Sequence, residues 1–592
     1  MRRRVLVALA VAAVVGLPGC ASVPDHGPPI AVPNRRLQEA VNPDVNAEIA
    51  APREFGGPLD TVTLMLDAGR TTQNHDQLGE AFMTPAAQDS LKNIVNVSIF
   101  RQGEAKVVQE SASAASVQLS GTIVGSVDNQ GIYQPQPNRP LSMRIGLKHV
   151  QGIWRISTPQ TAVLVRESDF NQAFQQVTLY FAVSGTQGGA EMLVPEARWQ
   201  SRSLSRDSII TPIVKLVLRR ASPVLSGVTR PAGGTTLRGN VAQQGDDLVL
   251  DLSPDIESQN PDYINLFAAE IGWSLGSRLS GSLRLQVNGR PLNVTGVDAV
   301  QGPEHWANYN PAARAGSSLY YVSKGRLRKL AVQDGNDNQD DQSTLGGSQS
   351  TNGVVSAAIS PTEHAVAVVK GAPGKQQLWI GSMTGELNKV LDAHTITRPT
   401  WGGSDDEVFA AVDGRPVLIA ADGHRTPVSY SQALGPIRAM RLAPDGVRVA
   451  VAAGSETGAH AYMGVLQRLP DGSQVVLRDL RLVQAPLAKQ PGTPVIPKVT
   501  DVGWAGPTTI AVAGQNADNT AIVRRVSTDW AEEEPSLSTG LRAGAVGLAV
   551  TPFTVSPQPA FAESGKQLYQ GAAHSWTAVQ GMDNIAAPFY PG

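Results

Sequence analysis

The chain has 592 residues, and its 49 Lys+Arg are balanced by 51 Asp+Glu. A near-neutral chain of this kind lacks the basic excess of a general nucleic-acid binder. A hydrophobic content of 41% supports packed cores, 58 glycines and 41 prolines point to many turns and a β-rich protein, and a single cysteine excludes any intrachain disulfide.

That cysteine, Cys20, closes the one long apolar run, Val5–Gly19, which follows Arg2, Arg3 and Arg4. A basic start, a short apolar stretch and small residues at a cut site make a secretory signal peptide over 1–19. At about 1.5 Å per residue the run reaches about 22 Å, short of the roughly 30 Å hydrocarbon core, so a permanent membrane helix is not expected. Leu17-Pro18-Gly19-Cys20 resembles the lipobox of bacterial lipoproteins, although Pro18 stands where alanine or serine is commonest. The resemblance implies a diacylglyceryl thioether on Cys20, cleavage just before it, and anchoring on the outer face of a membrane. An ordinary signal peptide with a chance cysteine is the alternative. Residues 20–55 then read as the lipidated cysteine and a Pro-rich, semi-extended tether.

Residues 56–168 form the first expected domain. Val62, Met65 and Leu66, then Leu78, Ala81 and Phe82, recur at helical spacing, and Pro85 ends the second segment. Five strands follow: "VNVSIF", "KVVQE", "SVQLSGTIVGSV", "LSMRIGLKHV" and "GIWRIS". Val117, Leu119, Ile123 and Val127 share one face of the third, and Gly121 and Gly125 on that face mark a bend or bulge. Short helices before a curved antiparallel sheet resemble the α+β cone of nuclear transport factor 2.

Residues 174–295 form the second. Two strands, "QVTLYFAV" and "EMLVPEARW", precede a helix in "SRDSIITPIVKLVLRR", with Ile209, Ile213, Leu216 and Val217 on one face and Asp207 or Ser205 as N-cap. Two strands surround Gly245-Asp246. A second helix starts near Pro261 and carries Ile264, Phe267, Ile271 and Leu275, and a hairpin turns at Asn288-Gly289. The order of elements resembles the α+β GerMN module.

Residues 310–585 carry a repeat of the form apolar, any, apolar, small, Pro or Gly: "AAISP" from Ala357, "PTWGG" from Pro399, "MRLAP" from Met440, "VGWAG" from Val502 and "LAVTP" from Leu548. Most spacings approach the roughly 40–45 residues of a four-stranded propeller blade, and the long one contains a Pro-rich insertion. An all-β propeller of five to seven blades is expected. "SSLYYVSKGRLRKL" supplies two strands of an incomplete blade for C-terminal residues to complete. Trp401 and Trp504 hold the same repeat position, which is expected to be buried between blades.

Candidate chemistry is sparse. Gly272-Trp273-Ser274-Leu275-Gly276 matches the nucleophile elbow, but it continues an amphipathic helix where an elbow needs a strand-to-helix turn, so Ser274 is read as structural. Asp334, Asn336 and Asn338 alternate like the start of a calcium loop. Gln339 and Leu345 occupy the positions that should be glycine and glutamate, and a solvated loop is the better reading. Nine scattered histidines show no zinc spacing, and Asp405-Asp406 and Glu532-Glu533-Glu534 read as solvated loop acids. There is no P-loop and no dinucleotide fingerprint, and no cofactor, metal or catalytic residue is expected.

Lipobox, tether, cone-like domain, GerMN module and propeller, in this order, resemble the LpqB lipoproteins of actinobacteria. The resemblance implies a non-enzymatic envelope lipoprotein that acts on the extracytoplasmic domain of a two-component sensor histidine kinase, and so on cell-wall homeostasis and division. Only Cys20 carries a role over from it. A small-ligand carrier using the pocket of the cone-like domain, and an enzyme acting on cell-wall polymer, are the alternatives.

Overall fold

The computed structural model describes residues 52–592, apart from 70–74, 185–191, 310–317, 331–351, 403–404, 456–457, 470–473, 486–492, 535–539, 552–559 and 573–574 and single residues 55, 93, 95 and 203. Three helices open the N-terminal domain: α1 (Pro58–Gly69), α2 (His75–Phe82) and α3 (Pro85–Lys92). The expected apolar stripe is their inner face. Val62, Leu66, Leu78 and Phe82 enter one core with Val117, Leu119 and Trp154 of the sheet, and Met65 and Ala81 pack at its edge.

The sheet holds β1 (Val97–Glu110), β2 (Ala114–Val127), β3 (Tyr133–Val150), β4 (Ile153–Ile156) and β5 (Val163–Arg166), in the order β4-β3-β2-β1-β5. Two of the expected strands, "VNVSIF" and "KVVQE", are one continuous β1, because register shifts after Ile99, Gln102 and Val107 bend the strand without ending it. Glycine is required at two points on β2. A Cβ on Gly121 would stand 2.4 Å from the Arg101 carbonyl, and one on Gly125 would meet the Tyr133 ring at 2.6 Å. The pairing of β2 with β3 also slips between Ile123 and Gly125, which buries Val124 as well as Ile123.

α4 (Glu167–Ala173) spans residue 168, and its fully buried Phe170 stacks on Phe174 and lies tilted against Trp199. The second domain continues with β6 (Phe174–Ala182), β7 (Leu193–Ser201), α5 (Ile210–Leu218), β8 (Ala242–Gln244), β9 (Asp247–Leu252), α6 (Pro261–Leu275), β10 (Leu283–Val287) and β11 (Arg290–Pro291). Ile209, Ile213, Leu216 and Val217 of the α5 segment face Ile264, Phe267, Ile271 and Leu275 of α6 in one core. α5 begins later than expected. Ser205 Oγ accepts from the Ser208 N–H in the preceding turn, and the helix itself has no side-chain cap. α6 is capped by Asn260, whose Oδ1 accepts from the Tyr263 N–H at 2.7 Å, with Pro261 in its first turn.

Among the described residues, six blades follow around a ring, the third and fourth joined edge to edge by the parallel pairing of Val428 and Ser429 with Val475 and Val476. Their strands lie in residues 320–329 with 585–589, 354–393, 400–429, 437–482, 498–527 and 546–583. Ring closure falls to the first sheet, where Tyr320–Ser323 pairs antiparallel with both Arg326–Lys329 and the C-terminal strand Ile585–Phe589. The C-terminal strand Ile585–Phe589 is thereby part of the sheet that closes the ring. Six apolar clusters fill the six junctions between neighbouring blades. Trp401 lies in the second–third junction and Trp504 in the fourth–fifth, both nearly inaccessible.

Candidate functional site

The second domain is wedged between the other two, and the contacts are specific. Trp199 of β7 is 2% exposed, and its Nε1–H donates to Asp529 of the fifth blade at 2.7 Å. Its ring shares a cluster with Val127 and Tyr133 of the first domain, Phe170 of α4 and Ala531 of the propeller. A second cluster joins Val183, Met192, Val194, Leu225 and Val228 to Val447 and Val465 of the fourth blade. Around it, Gln467 donates to the Gly227 carbonyl at 3.0 Å and Arg478 to that of Val224 at 3.2 Å. Arg198 Nη1 donates to the Gln130 carbonyl at 3.0 Å, tying β7 back to the first domain.

Between these contacts lies a cleft of about 690 Å³ to which all three domains contribute, among them Tyr133, Glu196, Arg481 and Trp530. Arg481 lies over the Trp530 ring at 4.9 Å, and burial lowers its pKa. The volume is within the range of small-molecule sites. The sequence points to a ligand pocket inside the cone-like first domain, whereas this cleft lies where the three domains meet.

A second constellation lies on the propeller axis, where the repeats converge. Arg398, just before the "PTWGG" repeat, Arg441 inside "MRLAP" and Asp501, just before "VGWAG", come from three consecutive blades. Asp501 accepts from Arg441 Nη2 at 2.8 Å and from the Leu548 N–H at 3.0 Å. Arg398 Nη1 donates to the carbonyls of Leu548 and Pro588 at 3.0 and 2.7 Å. Sequence reasoning missed all three residues. The charged residues that recur beside an otherwise apolar motif were the available signal.

Ser274 is 3% exposed, and its Oγ accepts the Tyr180 N–H at 2.9 Å, which joins α6 to β6. One turn earlier Glu270 does the same for Ala182 at 2.7 Å and pairs with Arg220. Gly272 lets the Trp306 ring approach to where a Cβ would stand 2.6 Å away. The pentapeptide therefore seals a helix onto a sheet, and its hydroxyl is not presented to a substrate. Asp405 accepts from Thr362, and Glu533 and Glu534 pair with Arg524 and Arg525, so these acids are engaged within or between blades. No group of three or more potential metal ligands occurs among the described residues. Cys20 and the loop with Asp334, Asn336 and Asn338 lie outside the described residues.

Comparison with known proteins accounts for most of the chain in three consecutive matches. Residues 51–171 match the "Lipoprotein LpqB, N-terminal domain" family, 178–293 match "Sporulation and spore germination", and 330–591 match the "Lipoprotein LpqB beta-propeller domain". The chain belongs to the LpqB lipoprotein family. Curated proteins named Lipoprotein LpqB align with it over nearly their whole length. That of Nocardia farcinica is 23% identical over 99% of this chain and 98% of its own. That of Streptomyces coelicolor is 26% identical over 99% and 98%, and that of Mycobacterium bovis 26% over 97% of each. Among solved structures, TolB from Acinetobacter baumannii is 11% identical over 65% of this chain and 94% of that one, with a TM-score of 0.35. The tandem GerMN domains of GerM from Bacillus subtilis are 18% identical over 22% and 44%, with a TM-score of 0.18. At these scores neither likeness bears on function. The family is not a known enzyme family, and no described helix is long and apolar enough to cross a membrane.

Proposed function

We propose that this chain is an envelope lipoprotein, cleaved before and acylated on Cys20, that acts without catalysis on the extracytoplasmic domain of a sensor histidine kinase. The tether would hold the folded domains above the outer face of the cell membrane. The observation that carries the docking role is the interlocking of the three domains through Trp199–Asp529 and the Val447/Val465 cluster. Domains locked in this way present one surface to a partner, and binding at the propeller constrains the first domain as well. A photo-reactive residue placed at the exposed positions Lys375 and His424, in cells, is the test. Capture of a sensor kinase supports the reading. Capture of other proteins only, or of none, refutes it.

The cleft of about 690 Å³ favours a second reading, a carrier or receptor for a small ligand. A compound that copurifies with the full chain and is lost on Ala197→Trp, which fills the cleft, would support it. An empty cleft by native mass spectrometry would count against it.

A further inference from the structure

We propose that the axis of the propeller is an anion site, built by Arg398 and Arg441 and sized for a single carboxylate. The charge count is the starting point. The side chains of Arg398 and Arg441 are 12% and 11% exposed and that of Asp501 is 8% exposed. Two guanidinium groups thus share one carboxylate, and no other ion pair to either arginine occurs among the described residues.

Asp501 is itself committed. Its Oδ1 takes Arg441 Nη2 at 2.8 Å and the Val502 N–H at 2.9 Å. Its Oδ2 takes the Leu548 N–H at 3.0 Å and stands 3.9 Å from Arg398 Nη2. Arg398 leans on neutral carbonyls instead, those of Leu548 and Pro588. Burial, then repulsion from Arg441, pulls its pKa down to about 9 despite Asp501. A buried cation without its own counter-charge is costly, and an anion brought to it is bound strongly in such surroundings.

The space for that anion exists. A cavity of about 60 Å³ is lined by Arg398, Arg441, Thr551 and Tyr590. One water needs roughly 10–15 Å³ by this measure, so the cavity takes a group of a few heavy atoms and excludes bulky anions. A planar guanidinium matches a carboxylate in particular, by two parallel N–H···O bonds. The carboxylate can arrive as a free small acid or as an aspartate side chain on an inserted loop. The site stands whether or not the kinase-docking role holds.

The test uses the full chain in detergent, with sodium formate titrated at constant ionic strength against the sodium salt of a bulky sulfonate. Formate should raise the thermal midpoint in a saturable way, by about 2–5 °C. Arg398→Gln, which keeps a donor for the Leu548 carbonyl, should abolish the rise. Asp501→Asn should tighten formate binding about tenfold, and if that variant does not fold, Arg398→Gln decides alone. An acetyl-Asp-amide that displaces formate assigns the site to an inserted side chain, and formate binding without displacement assigns it to a free acid. A midpoint indifferent to formate, or an equal rise in Arg398→Gln, overturns the proposal.

Discussion

Replacing Trp401 by alanine tests whether the blades stand in the register described. Its side chain is 1% exposed and belongs to one buried cluster with Ala358, Val369, Leu378 and Ile380 of one blade and Val408, Ala410 and Ile419 of the next. A buried tryptophan removes up to about 250 Å² from water, worth about 6 kcal/mol at roughly 25 cal/mol per Å². Trp401 Nε1 is buried without an acceptor among the described residues, which offsets about 1–3 kcal/mol of that. The net cost of Trp401→Ala is therefore about 3–5 kcal/mol, in line with large-to-small core changes. At about 2–3 °C per kcal/mol for a domain of this size the melting temperature should fall by about 6–15 °C.

Phenylalanine separates the two contributions. Trp401→Phe keeps most of the apolar contact and removes the orphaned N–H, so it should cost less than about 1.5 kcal/mol. Trp504 is the control. Its Nε1 donates to the Arg441 carbonyl at 3.1 Å, and Arg448 lies over its ring at 4.7 Å. Trp504→Phe should consequently cost more than Trp401→Phe. Scanning calorimetry of the full chain in detergent measures all of these. A Trp401→Ala protein that melts like the wild type, or a Trp401→Phe protein as unstable as Trp401→Ala, would refute the reasoning.

Three further outcomes are expected. A fluorophosphonate probe should leave the chain unlabelled, since Ser274 is buried and accepts the Tyr180 N–H; stoichiometric labelling lost in Ser274→Ala would contradict the structural role. Burial raises the Tyr180 phenol to about 12, so the folded chain keeps that proton where the unfolded chain loses it, and stability should fall as pH rises from about 10 towards 12. In Tyr180→Phe the alkaline loss should be smaller, as read from urea midpoints at pH 8 and 11. Cys20→Ala should abolish incorporation of a fatty-acid analogue and leave the precursor uncleaved, and because Cys20 is the only cysteine, residual thiol-linked label would refute anchoring at this residue.

Much of this protein is legible in one dimension because helices, strands and repeats impose local periods. The stripe Ile264, Phe267, Ile271 and Leu275 marks a buried face wherever its helix packs, and that face is buried. The propeller repeats could be aligned because each blade meets its neighbours with the same positions, which is why Trp401 and Trp504 fall at equivalent junctions. A period says which face is covered but not what covers it. Arg441 and Asp501 are 60 residues apart, and Trp199 and Asp529 are 330 apart. Neither pair lies on any repeat that predicts its partner, and both meet only once the ring has closed and the second domain has docked on it. The continuous β1 is another case, since its bulges depend on how Gly121 and Gly125 admit the neighbouring backbone and ring. So is the closing strand Ile585–Phe589, whose five residues join the propeller through pairing with Tyr320–Ser323 at the other end of the domain. Local chain geometry determined the elements and their buried faces; the cleft, the arginine pair on the axis and the closure of the ring were decided by long-range packing, where the free energy depends on partners that no local pattern names.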